Sequence, residues 1–200
     1  RLTISPLSPV TSGLCLRHQE LLGPQSYVVL FFLTTYLCDK VLYFGMNWLR
    51  GSSHRGGLGV FQQCESLQAV PETLFAGCPL AEDMSYAFAG CKALTSLPDN
   101  LFRQNSRLEQ VEGTFSSCTA LTAIPAMLFD NNRKLMNVKS TFSGSLNVEG
   151  ESPYTVIGNK KVHLYERGDY PTEFVALQEY VCCFEDCTKL TDCSDMPKYW

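Results

Sequence analysis

Two hundred residues suffice for one ordinary domain or one short repeat array. Hydrophobic residues make up 45% and charged residues 18%, which excludes general disorder. A net charge of −4 excludes a surface built to hold a phosphate backbone, which needs clustered Lys and Arg.

The chain starts at Arg1, not Met, and so reads as a processed protein or a fragment. Residues 1–59 form a non-repeat N-terminal segment. They hold an apolar run over 27–38, then Asp39 and Lys40, then a second run over 41–49. The first run is shorter than the roughly 20 residues that cross a bilayer. A span over 27–49 would bury Asp39 and Lys40 near the midplane. The segment therefore reads as a cap helix. A membrane helix, and sequence outside the native coding frame, are the other two readings. Gly56, Gly57 and Gly59 lack the strand, the glycine spacing and the lysine of a phosphate loop.

From Phe61 the sequence repeats. Phe61, Phe88, Phe115 and Phe142 are each 27 residues apart. Three places after each comes Cys64, Cys91, Cys118 or Ser145, and three further Leu67, Leu94 or Leu121. Val70, Leu97 and Ile124 follow, each before a proline, and then Leu74-Phe75, Leu101-Phe102 and Leu128-Phe129. Met84, Val111 and Val138 precede the next Phe by four. A fixed period of this length is the signature of stacked units, each of which buries its apolar edge against the next. The expectation is a solenoid over residues 60–148: 27-residue coils with short parallel strands and short helical turns, a β-rich α/β fold. The strands should run over 67–70, 94–97 and 121–124, ended by Pro71, Pro98 and Pro125, which have no N–H to donate. A single helical turn should follow each proline. A second, weaker strand row is expected over 108–111 and 135–138.

Phe88-Ala89-Gly90-Cys91-Lys92-Ala93-Leu94-Thr95-Ser96-Leu97-Pro98 and its copies at Phe61 and Phe115 resemble the F-x-G-C-x-x-L-x-x-I-P unit of BspA-type leucine-rich repeat proteins. The resemblance covers residues 61–145 and resumes at Phe184, Cys187 and Leu190. Proteins of that family are bacterial and mostly surface-exposed or secreted, with roles in adhesion and protein binding. Their usual unit is shorter than 27 residues, which makes this chain a longer-repeat variant. The family supplies no catalytic residues.

The recurring cysteines read as a column of small buried residues, since a ligand set would not tolerate Ser145 in the fourth copy. Cys182, Cys183, Cys187 and Cys193 do not have the paired spacing of a zinc site. In an oxidising compartment Cys193 can pair with Cys182 or Cys183, and at least one of the adjacent pair stays reduced.

Phe142 to Phe184 is 42 residues, one period plus an insertion of 15. Within it, residues 154–157 and 160–165 flank Gly158-Asn159 and read as a β-hairpin. Residues 149–200 are thus a hairpin insertion plus a last repeat, closing the array. Insertions project from one face and carry recognition. The candidate partner-binding residues are therefore Lys160, Lys161, His163, Tyr165, Tyr170 and Phe174. His163 alternates with Lys161 and Tyr165 and should lie on a solvated strand face. The three histidines, His18, His54 and His163, sit in unrelated contexts, none of them a nucleophile or metalloprotease motif.

The expected function is that of a non-enzymatic cell-surface, outer-membrane or secreted repeat protein that binds a protein or glycan. No cofactor, metal or nucleic acid is expected, and membrane association only through an anchor not visible in the sequence. The alternative is a purely structural or assembly subunit.

Overall fold

The computed structural model describes residues 59–200. The expectations for residues 1–58 lie outside the described residues.

Two columns of phenylalanine organise the core. The rings of Phe61, Phe88, Phe115, Phe142 and Phe184 stack in succession, with centroids 5.2, 5.5, 5.4 and 5.5 Å apart. Phe75, Phe102 and Phe129 form a second column at 5.6 and 5.7 Å. The columns meet at an angle, with Phe75 on Phe88, Phe102 on Phe115 and Phe129 on Phe142 at 5.9 to 6.3 Å. Each such pair contributes about 0.5–1.5 kcal/mol beyond the area it buries. Leu67, Leu94, Leu121, Val148 and Leu190 are buried in the same core. Equivalent side chains of successive 27-residue units therefore meet, and each unit shields the next from water.

The main backbone seam between units runs along the arc that carries the first Phe column. The N–H groups of Met84, Tyr86, Phe88 and Gly90 donate to the carbonyls of Gln110, Glu112, Thr114 and Ser116 in the next unit, at 2.7 to 2.9 Å. Val111, Gly113, Phe115 and Ser117 do the same toward Asn137, Lys139, Thr141 and Ser143. Only alternate residues donate across the seam. Two positions per unit are left-handed, one two residues before the Phe and one two after. The first set is Gly59, Tyr86, Gly113, Ser140 and Cys182, with φ of 51 to 61°. The second is Gln63, Gly90, Ser117, Gly144 and Asp186, with φ of 58 to 73°. An arc built this way is a chain of turns rather than a strand.

Glycine is required where a large side chain crosses the seam. A Cβ on Gly113 would lie 2.5 Å from Cε1 of Tyr86, and one on Gly90 would lie 2.4 Å from Nε2 of Gln63.

The expected parallel strands shrink to isolated contacts. At the first row, Thr95 N–H reaches Gln68 O at 3.1 Å and Thr122 N–H reaches Thr95 O at 3.3 Å. A turn bond from Leu94 N–H to Cys91 O ends immediately before this row, and Pro98 follows it. The extended stretch is too short for a ladder. The second row, expected to be the weaker, makes parallel bridges at three successive steps: Asp83 with Gln110, Gln110 with Asn137, and Asn137 with Glu179. After each proline the chain closes one turn, with Leu74, Leu101 and Leu128 N–H donating to Pro71, Pro98 and Pro125 O.

Among the described residues the regular strands are β1 (Tyr154–Ile157) and β2 (Lys160–His163), paired antiparallel with Tyr154 opposite His163. Gly158 turns between them with φ of 60°. β2 ends two residues earlier than expected, because Leu164–Asp169 forms a 3-10 helix. The Glu166 carboxylate accepts the His163 backbone N–H at its start.

Candidate functional site

The hairpin and the 3-10 helix replace the proline turn that the other units use. Leu164 is buried in the core, and Arg167 is 2% exposed. Arg167 completes a ladder that begins with asparagine. Asn105 Nδ2 donates to the carbonyls of Phe75 and Cys78, and Asn132 Nδ2 donates to those of Phe102 and Asn105. In the next unit the guanidinium does this work. Nη1 donates to Asn132 O at 3.0 Å, and Nη2 to Phe129 O at 2.9 Å. Its plane lies over the Phe174 ring at 4.4 Å. Burial lowers its pKa to about 9, so it is still a cation at neutral pH.

The candidate partner-binding residues divide by exposure. Lys160 and Lys161 are exposed. Lys160 pairs with Glu166 at 3.7 Å and lies 5.5 Å above the Tyr170 ring. Lys161 pairs with Glu151 and lies 4.4 Å above the Tyr154 ring. Tyr170 caps the 3-10 helix, its N–H donating to Arg167 O. Tyr165 is partly buried, and its hydroxyl donates to Asp192 Oδ2 at 3.3 Å.

Two expectations are corrected. Phe174 is 5% exposed, wedged under the guanidinia of Arg167 and Arg133. His163 is 8% exposed and not on a solvated face. It is the residue before the 3-10 helix, and the helix start turns its ring inward onto Tyr165, with centroids 5.2 Å apart. The surface set is therefore Lys160, Lys161 and Tyr170, with the exposed Val156 beside them.

His163 lies in a polar cluster. Its Nδ1 is 3.0 Å from Ser152 Oγ and 3.5 Å from Asp192 Oδ2, and its Nε2 is 3.4 Å from Glu151 Oε1. The Ser152 hydroxyl donates to Asp192 Oδ2 and its N–H to Asp192 Oδ1. Ser, His and Asp are all present, but the order of a catalytic triad is not. Ser152 is fully buried with its proton committed to the carboxylate, and serine and aspartate converge on the same ring nitrogen. The cluster ties the hairpin segment to the last unit. Burial, then the Asp192 charge, pushes the Tyr165 phenol up.

The cysteine column is a row of small donors. Cys91 and Cys118 thiols donate to the carbonyls of Phe61 and Phe88, and Cys187 to that of Phe142. Ser145 makes the same bond to Phe115 O at 2.9 Å, which explains why it can stand in a cysteine position. Burial pushes the Cys118 and Cys187 thiols up to about 12, and pushes Cys183 up as well. Cys182, Cys183 and Cys193, for which a disulfide was one reading, are free thiols. Among the described residues no group of three His, Cys, Asp or Glu could hold a metal ion. Among the same residues no helix is long and apolar enough to cross a membrane.

Sequence reasoning missed Asn105, Asn132, Arg167, Ser152 and Asp192. The asparagines carry a signal, since each follows Phe102 or Phe129 by three places at the common period. The other three stand in no repeat position. Compared with models of known protein families and with curated proteins, the chain matches none.

Proposed function

We propose that the chain is a leucine-rich-repeat-like solenoid of the BspA type, serving a bacterial cell-surface or secreted protein as a module that binds a protein or glycan, without catalysis. The observation that carries this reading is where the polar groups go. The buried Asn, Thr, Cys and Ser side chains spend their hydrogen bonds on carbonyls of the neighbouring unit. What is left for a partner is the hairpin face of Lys160, Lys161 and Tyr170, where two ammonium groups lie over two tyrosine rings. Aromatic rings flanked by cations suit the apolar faces of sugars or a peptide carrying carboxylates. The test is binding of the full chain to a glycan array and to a display library of extracellular proteins, with Lys160→Ala/Lys161→Ala as control. Binding lost in the variant supports the reading, and binding unchanged in the variant moves the surface elsewhere.

A second reading is an assembly subunit, favoured by the aromatic residues on the last unit. Trp200 stacks on Tyr180 at 5.1 Å and on Phe184 at 6.4 Å, and Tyr199 is 67% exposed. Sedimentation of the full chain separates the two, since an assembly subunit forms oligomers with no added partner.

A further inference from the structure

We propose that Glu151, His163 and Asp192 form a proton-operated latch that holds the hairpin insertion on the last unit of the array. The argument is a count of protons. His163 Nε2 faces the Glu151 carboxylate at 3.4 Å, and Nδ1 faces Ser152 Oγ at 3.0 Å with Asp192 Oδ2 at 3.5 Å behind it. Both ring nitrogens thus look at acceptors. A neutral imidazole has one N–H and one lone pair. With the proton on Nδ1, the ring donates to Ser152 and serine donates to Asp192, but the bare Nε2 then faces a carboxylate oxygen. With the proton on Nε2, the ring donates to Glu151. Nδ1 must then take the serine proton, which leaves Ser152 Oγ and Asp192 Oδ2 in contact at 2.5 Å with no hydrogen of their own. The imidazolium, with two N–H groups, satisfies every contact at once.

The surroundings agree in sign. From the segment before β1 come Glu151 and Ser152, and from β1 the edge of the Tyr154 ring. Lys161 of β2 is held on the far oxygen of Glu151. The 3-10 helix contributes the parallel Tyr165 ring and Glu166 on the backbone N–H. The last unit contributes Asp192, which also takes the Tyr165 hydroxyl. The carboxylates are three and the ammonium one. Two of the carboxylates flank the ring itself, and they come from the two parts being joined. Imidazole ordinarily ionises between about pH 5 and 8, so the latch closes on acidification and loosens toward alkaline pH. What it controls is how firmly Lys160 and Lys161 are presented. The inference does not depend on any partner binding there.

The test uses the full chain alone. Amide hydrogen-exchange protection factors for Thr155 and Val162 are measured at about pH 5.5 and about pH 8. These residues pair with each other across the hairpin. Wild type should be protected about tenfold more at the lower pH, the scale of one charge-assisted hydrogen bond. In His163→Gln and in Asp192→Asn the ratio should fall to near one. An unchanged ratio in both variants overturns the proposal. Should either variant fail to fold, the ring nitrogen signals of wild-type His163 decide. Two protonated nitrogens at about pH 5.5, with one lost by about pH 8, support the latch. A single protonation state across that range rejects it.

Discussion

Replacing Gly113 with alanine tests the seam most directly. Gly113 has φ of 57°, where an L-residue costs about 1–2 kcal/mol. Gly158 has nearly the same φ, 60°, with nothing within 4 Å of a built Cβ, so Gly158→Ala reads the backbone cost alone. At Gly113 the new methyl would fall 2.5 and 2.6 Å from Cε1 and Cδ1 of Tyr86. The ring cannot yield cheaply, because its hydroxyl donates to Glu112 at 2.6 Å across the seam. Swinging the ring aside gives up a hydrogen bond to a carboxylate, worth about 1 kcal/mol at this exposed site. Gly113→Ala should therefore cost about 2–3 kcal/mol, against about 1–2 for Gly158→Ala. Tyr86→Ala removes the obstacle, so the double variant should recover about 1 kcal/mol relative to the sum of the single changes. Urea unfolding with an unchanged m-value measures all four proteins. Equal costs at Gly113 and Gly158, with no coupling to Tyr86, would refute the claim that the Tyr86 side chain dictates glycine in the next unit.

Other outcomes follow from the same contacts. Arg167→Lys should lower stability by about 3 kcal/mol, since one ammonium cannot bridge the Phe129 and Asn132 carbonyls; a melting temperature equal to wild type would contradict this. Ser145→Cys should be close to neutral, within about 1 kcal/mol, because the thiols of Cys91 and Cys118 already make the equivalent bond; denaturant midpoints give the comparison. Stability should decline in alkali. The Cys118 and Cys187 thiols ionise at 9.0 when unperturbed but at about 12 when folded. Their contribution is thus fully present below about pH 9 and is lost as the pH rises toward 12. Each thiol contributes a slope of up to about 1.4 kcal/mol per pH unit. Arg167, lowered to about 9, works in the opposite sense but is one group against Cys118, Cys183 and Cys187. Unfolding curves across this range should flatten in Cys118→Ser and Cys187→Ser; the same slope in both variants would refute the assignment to the thiols.

The spacing of Phe61, Phe88, Phe115 and Phe142 tells which rings meet, because a constant interval needs nothing more than equal path lengths per unit. The hairpin turn at Gly158 was legible for a local reason, two runs of β-formers around a turn dipeptide. The seam was not. Its left-handed positions hold Gly59, Tyr86, Gly113, Ser140 and Cys182, which share a backbone angle and no side-chain chemistry. A motif written in side chains passes over them. Expecting strands at the leucine row was reasonable from the flanking proline, yet the turn bond at Cys91 takes the residues that a ladder would need. At the candidate site, the exposed lysines could be read from alternation. His163 and Phe174 could not, since their burial is set by the 3-10 helix and by Arg167, both of which lie off the repeat.

The Phe142–Phe184 step has a practical meaning. Its rings stand 5.5 Å apart, as in the uninterrupted steps, and Phe142 N–H finds the Cys183 carbonyl at 2.8 Å just as Phe115 finds Thr141. Fifteen additional residues leave and rejoin the stack without disturbing it. The position is a natural graft point, where guest sequence can be exchanged for new recognition. The exchange has two obligations. Whatever replaces the hairpin must return an apolar side chain where Leu164 fills the core. It must also return a forked donor where Arg167 meets the carbonyls of the unit behind it.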